Sequence, residues 1–165
     1  MFLEEIPSGT SVFIDSNIFI YHFLDISQSC TDFLCRVEDE EVIGYTSTVV
    51  LAEVLHRLMI AEVVEKYNTK SREAVRLLKE KPGIIPSLTK CEDAVRAIPR
   101  FNIAILTYSA EAVFQSRKLR LKYLLLANDS LNLQVMNLNN LADIATNDSD
   151  FERIGQIKVW KPKNT

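Results

Sequence analysis

Residues 11–25 read SVFIDSNIFIYHFLD, and one of them does not fit its surroundings. Val12, Phe13 and Ile14 form a short apolar run of the kind that fills a strand buried on both faces. Ile18, Phe19, Ile20, Tyr21, Phe23 and Leu24 carry the apolar character on into a helix. Between them stands Asp15, a carboxylate at the end of a core element. A charge there either caps the helix that begins near Asn17 or meets a ligand.

Outward from this stretch, short apolar runs alternate with helical patterns. Cys30, Phe33, Leu34 and Val37 fall at i, i+3, i+4, i+7 and predict an amphipathic helix. EVIGYT (41–46) is a second strand, and the long stretch 47–67 is a helix opened by Ser47 or Thr48. SREAVRLLKEK (71–81) is a helix stopped by Pro82-Gly83, and another runs from Pro86 to about Ile98, where Pro99 ends it. FNIAILTY (101–108) is a strand, 109–123 a helix, and 128–140 a helix that Asn128 or Asp129 can cap. LADIAT (141–146) and IKVW (157–160) are strands around a turn and short helix at NDSDFERI, which Asp150 can cap. Strands alternating with helices predict a three-layer α/β/α sandwich around a mostly parallel sheet, a single domain over 1–165. The helical hairpin at about 60–98 exceeds what a simple crossover needs and reads as an arm packed beside the sheet.

Bulk properties narrow the function. With 47% hydrophobic and 25% charged residues the composition is ordinary for a globular chain. No apolar run reaches the 18 residues of a membrane span, and MFLEEIPSG lacks the order of a signal peptide. Cys30, Cys35 and Cys91 have no zinc spacing and read as reduced thiols of a cytoplasmic protein. The net charge of −3 hides an asymmetry: residues 1–56 carry net −9 and residues 57–165 net +6. The positive runs at 68–81 and 117–122 are either solvated helix faces or attractive to a polyanion. A pI near 5.5 argues against a protein that coats nucleic acid non-specifically.

Ligands of an open parallel sheet bind beyond the C-terminal ends of its strands. Asp15 and Asp148 each follow a strand, while Glu53 and Asp129 lie near helix starts that face the same edge. Singly, each has a local use: caps for Asp15 and Asp129, an i, i+4 ion pair with Arg57 for Glu53. Together they are a problem, because two like charges 4 Å apart repel by about 4 kcal/mol at an effective dielectric of 20. Such a cluster takes up protons or holds a cation, and carboxylates without His or Cys suit Mg²⁺ or Mn²⁺.

The pattern resembles the PIN domain, most closely the VapC-type ribonuclease toxins, over nearly the whole chain. FIDSNIFIYHFL is similar to the first motif, with Asp15, Ser16 and Asn17; TSTVVLAEVLHRL to the second, with Glu53; LLLANDSLNLQVM to the third, with Asp129. LADIATNDSDFERI is similar to the fourth, with Thr146, Asn147, Asp148 and the following Asp150-Phe151, and IKVWKP to the terminal strand. Two departures stand out. The helix after Asp129 carries polar Asn132 and Gln134 where the family is rich in small apolar residues, and the 60–98 arm is longer than in minimal members.

The resemblance implies a metal-dependent endoribonuclease, the toxin of a toxin–antitoxin pair. Asp15, Glu53 and Asp129 would bind one Mg²⁺ or Mn²⁺. Asp148 would bind a second ion or orient the attacking water, with Asn17 and Thr146 positioning these groups or the scissile phosphate. Arg57, Lys118 and Arg120 become contacts to an RNA backbone, and His56 a surface or interface residue outside the site. The implied partners are RNA, a small antitoxin protein and a second copy of the chain; the apolar faces of the helical stretch at 50–67 are either the surface for that copy or, by default for such a stripe, core. The rival reading is a catalytically silent interaction module whose acidic pocket docks a partner's arginine. A haloacid-dehalogenase-type phosphatase wants Asp where Asn17 stands, and a structure-specific DNA nuclease typically carries more than four acidic ligands.

Overall fold

The computed structural model describes residues 1–163. Five strands, β1 (Ser11–Ile14), β2 (Ile43–Ser47), β3 (Ala104–Leu106), β4 (Asp143–Ala145) and β5 (Lys158–Trp160), form one sheet in the order β3-β2-β1-β4-β5. Every pairing between them is parallel. The central strand is the apolar run of the opening stretch: Val12, Phe13 and Ile14 are fully buried, as a strand covered on both faces requires.

The helices are α1 (Ser16–Phe23), α2 (Gln28–Glu38), α3 (Thr48–Tyr67), α4 (Ser71–Glu80), α5 (Lys90–Ala97), α6 (Ala110–Tyr123) and α7 (Ala127–Leu138). Right-handed crossovers in this strand order put α1–α5 on one face and α6 and α7 on the other. The reversal of direction falls between β1 and β4. That junction is where an open α/β sheet leaves a crevice at its carboxyl edge.

Local chemistry explains most element boundaries. The stripe Cys30, Phe33, Leu34 and Val37 of α2 is buried against the sheet. Its backing on β2 is Gly44, where a Cβ would lie 2.5 Å from Val37 Cγ1 and 3.0 Å from Ile103 Cγ1. The helix packs directly on strand backbone there, and only glycine leaves room. Ser47 caps α3, its Oγ accepting from Val50 N at 3.2 Å.

The arm differs in detail from its sequence reading. Pro82–Ser87 is a 3₁₀ stretch and α5 begins only at Lys90. The buried Glu62 of α3 sets that start: its carboxylate accepts from Thr89 N and Cys91 N, both at 3.1 Å, and from Lys66 Nζ at 2.8 Å. A carboxylate at a helix start replaces the missing partners of the first N–H groups. Residues Ile98–Phe101, including Pro99, form another 3₁₀ turn that ends at Asn102 in the left-handed region, so β3 is shorter than 101–108.

The apolar face of α3 is core, with Val50, Val54, Leu58 and Val63 buried within the chain. Of the two readings of that stripe, core is the one these residues follow. Exposed large apolar residues are spread over several elements, and one group of them, Phe114, Leu121, Leu124 and Leu126, lies on α6 and just after it. Cys30 and Cys91 are buried free thiols and Cys35 is an exposed one.

Candidate metal centre

Asp15 is the N-cap of α1 as well as the end of β1. Its Oδ1 accepts from Ser16 N at 2.7 Å. Its Oδ2 accepts from Asn17 Nδ2 at 2.7 Å and from the Thr146 hydroxyl at 2.6 Å. The Thr146 oxygen in turn accepts from Asn17 Nδ2 at 2.9 Å and from Asp148 N at 3.0 Å. Asn17 Oδ1 accepts from Asn147 N at 2.9 Å. Asn17 and Thr146 thus pin the carboxyl ends of β1 and β4 to one another and hold the Asp15 carboxylate in a fixed orientation.

Asp148 begins the last 3₁₀ turn, its Oδ1 accepting from Asp150 N at 2.8 Å. The cap is therefore Asp148, and Asp150 is the capped residue. Asp150 itself pairs with Arg153. Asp129 lies in the first turn of α7, whose N-cap is Leu126, two or three residues before the expected Asn128 or Asp129 cap, and no side chain caps it. Asn128 is otherwise engaged: its Nδ2 donates to Glu53 Oε2 at 3.3 Å. Glu53 takes this bond in place of the expected ion pair with Arg57, which is absent among the described residues.

The carboxylates converge. Oxygens of Asp129, Asp148 and Asp150 lie within 4.8 Å of one another, and Asp15, Glu53, Asp129 and Asp148 line one cavity of about 490 Å³. Burial pushes the Asp15 carboxyl from 3.8 to about 6, and the charges of Glu53 and Asp148 add to the shift against the lowering effect of Thr146 and Ser16. Burial likewise raises Asp129 to about 6, reinforced by Asp148, Asp15, Glu53 and Asp150. No lysine or arginine among the described residues forms an ion pair with Asp15, Glu53, Asp129 or Asp148. An oxygen-only, anionic, partly desolvated donor set without a protein counter-charge fits a hard divalent cation.

Two residues outside the expected set join the site. The sequence reads Asp150 as a cap and as the residue following the fourth motif, and its spacing two residues after Asp148 in a tight turn carries the signal for a place in the site. His56, expected outside the site, is exposed and lines the cavity beside Glu53. One expected RNA contact also has partners within the chain. Arg120 Nη1 donates to Ser116 Oγ at 2.8 Å and to Ser130 Oγ at 3.3 Å, tying α6 to the first turns of α7 beside Asp129. The polar Asn132 is buried and accepts from Ser47 Oγ at 2.9 Å. It joins α7 to the cap of the helix that bears Glu53, and so helps aim the site.

Comparisons with known proteins identify the family. Residues 12–157 match the model of the PIN domain family. Ribonuclease VapC2 of Methanocaldococcus jannaschii is 29% identical over 149 residues, 90% of this chain and 91% of that protein. The VapBC2 structure from Rickettsia felis, bound to a promoter DNA fragment, aligns with a TM-score of 0.55 and 18% identity, covering 93% of this chain and 99% of its own. A toxin–antitoxin complex from Klebsiella pneumoniae aligns with a TM-score of 0.58 and 18% identity, covering 89% and 95%. With its sheet order, its acidic edge at the strand reversal and this match over most of its length, the chain belongs to the PIN domain family.

Proposed function

We propose that this chain is a divalent-cation-dependent endoribonuclease of the VapC type, the toxin of a toxin–antitoxin pair, working in the cytoplasm. The observation that carries the reading is the convergence of Asp15, Glu53, Asp129 and Asp148, from four separate elements, at the reversal of strand order with no basic residue paired to them among the described residues. The relative named a ribonuclease supports the reaction class, and the neighbour that is a toxin–antitoxin complex supports a small antitoxin as partner. No helix among the described residues is long and apolar enough to cross a membrane.

In this reading Asp15, Glu53 and Asp129 are ligands of one Mg²⁺ or Mn²⁺, and Asp148, with Asp150 beside it, takes a second ion or orients the attacking water. A bound cation supplies charge neutralisation at the phosphate and a more acidic water. The chain supplies position. Three hydrogen bonds fix the Asp15 carboxylate before substrate arrives, donated by Ser16 N, Asn17 Nδ2 and the Thr146 hydroxyl. Arg120 and Asn132 keep the start of α7, and with it Asp129, against α6 and α3. Water then attacks a phosphodiester of RNA in line with the departing oxygen, in a site whose groups need little rearrangement. A second copy of the chain is part of the proposal, with the exposed apolar residues of α6 as its surface.

The test is cleavage of fluorescently tagged RNAs in EDTA, Mg²⁺ or Mn²⁺, with an Asp15→Asn variant of matched thermal stability. Cleavage that needs the ion and disappears in the variant is the expected result. Metal-independent cleavage, or equal cleavage by Asp15→Asn, would overturn it. No cleavage together with no Mn²⁺ binding would leave the interaction module as the better reading.

A further inference from the structure

A second cavity, of about 590 Å³, lies against the acidic one. That is within the range of small-ligand pockets, about 300–1,000 Å³. The two share a wall, the turn of α3 that carries Glu53, His56 and Arg57. The far side of the second cavity is formed by Tyr108, in the segment between β3 and α6, with Asn128 and Leu131 of α7. A chain molecule lying over the carboxylates therefore has somewhere to continue.

Several groups facing this cavity have unused binding capacity. Tyr108 is half-buried, burial raises its phenol, and its hydroxyl has no hydrogen-bond partner among the described residues. Tyr21, which lines the acidic cavity, differs in this respect, since its hydroxyl meets Asn147 Nδ2 at 3.2 Å. Arg57 is exposed and forms no ion pair among the described residues, and His56 is exposed beside it. Asn128 spends its amide N–H on Glu53, which leaves its carbonyl oxygen to accept. An aromatic face, an amide acceptor, a guanidinium and an imidazole within one hollow match a nucleotide: base on the ring, phosphate on Arg57 and the His56 N–H.

We infer that this second cavity is the subsite for the nucleotide adjoining the scissile phosphate, with Tyr108 as the platform on which its base stacks and Arg57 and His56 as contacts to its phosphates. The inference rests on the ribonuclease reading of the neighbouring carboxylates and specifies where the substrate lies. A polyanion approaching four carboxylates is repelled unless positive groups stand beside them. Arg57 stands at the lip of both cavities, on the helix that also carries Glu53. Stacking on one tyrosine tolerates any base, so the subsite takes single-stranded RNA whose bases are already unpaired.

The test uses the full chain with Tyr108→Leu and Tyr108→Trp, each checked for an unchanged melting temperature. In Mn²⁺-dependent cleavage of a tagged single-stranded RNA, Tyr108→Leu should raise KM about 10-fold, the size of a lost base–aromatic stack, and leave kcat nearly unchanged. Tyr108→Trp should restore KM. An RNA made abasic next to the cleavage position should lose the same affinity, and combining it with Tyr108→Leu should add nothing further. A readout independent of activity comes from Tyr108→Trp in an Asp15→Asn background: saturable quenching of the introduced indole by RNA, above the Trp160 background.

A wild type that cleaves, with KM unchanged in Tyr108→Leu and no quenching, would overturn the subsite and leave the ribonuclease reading intact. Loss of self-association in Tyr108→Leu with RNA affinity intact would overturn it in favour of a second copy of the chain on this face. A wild type that neither binds nor cleaves RNA in Mn²⁺ would remove the function and the subsite together.

Discussion

Asp129→Asn is expected to stabilise the metal-free protein. The Asp129 carboxyl is raised from 3.8 to about 6, by burial first and then by the charges of Asp148, Asp15, Glu53 and Asp150. A carboxyl whose pKa is higher folded than unfolded opposes folding when ionised, fully so above the folded value, and stops opposing it below the unfolded value. At pH 8 the fully felt penalty for a shift of this size is about 3 kcal/mol. Asp129 is partly exposed, so solvent screening reduces this to about 1–2 kcal/mol. Removing the charge should therefore raise the metal-free melting temperature by roughly 2–8 °C at pH 8, taking about 2–4 °C per kcal/mol for a chain of this size. The gain should shrink toward zero near pH 4. Adding Mn²⁺ at pH 8 should reverse the order, because the wild type gains ligand-linked stability and the variant has lost a ligand. Differential scanning fluorimetry in EDTA from pH 4 to 8, then in Mn²⁺, checks both halves. A variant no more stable than wild type at pH 8 in EDTA would refute the reasoning, since it would mean that the acidic edge is already neutralised within the chain.

Other substitutions probe how the site is held. Gly44→Ala places a methyl 2.5 Å from Val37 Cγ1 and should destabilise by about 1–3 kcal/mol in urea unfolding. Thr146→Val removes the donor to Asp15 and the acceptor for Asn17 and Asp148 N. It should lower the melting temperature and weaken Mn²⁺ binding in calorimetry, by more than an isosteric change at a surface position would. Glu62→Gln should loosen the start of α5, seen as faster amide hydrogen exchange over 89–93. At Glu62 burial raises the carboxyl, but the Lys66 ammonium and backbone N–H groups outweigh it and bring it to about 2. Its contribution is therefore present above the unfolded carboxyl value and lost as pH falls toward 2. It therefore leaves the pH 5–8 window to Asp15 and Asp129.

The sheet was legible because its strands are read by burial. Val12–Ile14 and Ile144–Ala145 are apolar on both faces, and the carboxylates that follow them mark the edge. The α2 stripe was legible for the same reason, as its spacing is imposed by one neighbour, the sheet. What was not legible depends on partners far apart in sequence. Glu62 fixes where α5 begins, 27 residues from the N–H of Thr89 that it binds. Asn132 stood out as a departure in the helix that carries Asp129, and its partner Ser47, which makes it a tie, lies 85 residues away. Arg120 read as a free cation because the hydroxyls of Ser116 and Ser130 meet it only when α6 and α7 pack. The second cavity had no sequence signal, since Tyr108, Glu53 and Asn128 belong to three separate segments.

The central claim is that the carboxyl edge of the sheet is a cation site. Calorimetric titration of Mn²⁺ into the full chain tests it most directly, at pH 6 and pH 8, each in two buffers of different ionisation enthalpy. With Asp15 and Asp129 both near 6, saturable binding at pH 6 should release about one proton per site, since two half-protonated carboxyls must give up their protons to become ligands. At pH 8 the release should fall nearly to zero while the affinity rises, and Asp129→Asn should weaken binding at both. Absence of saturable binding in the wild type, or binding of equal strength in Asp129→Asn with no proton release at pH 6, would contradict the account.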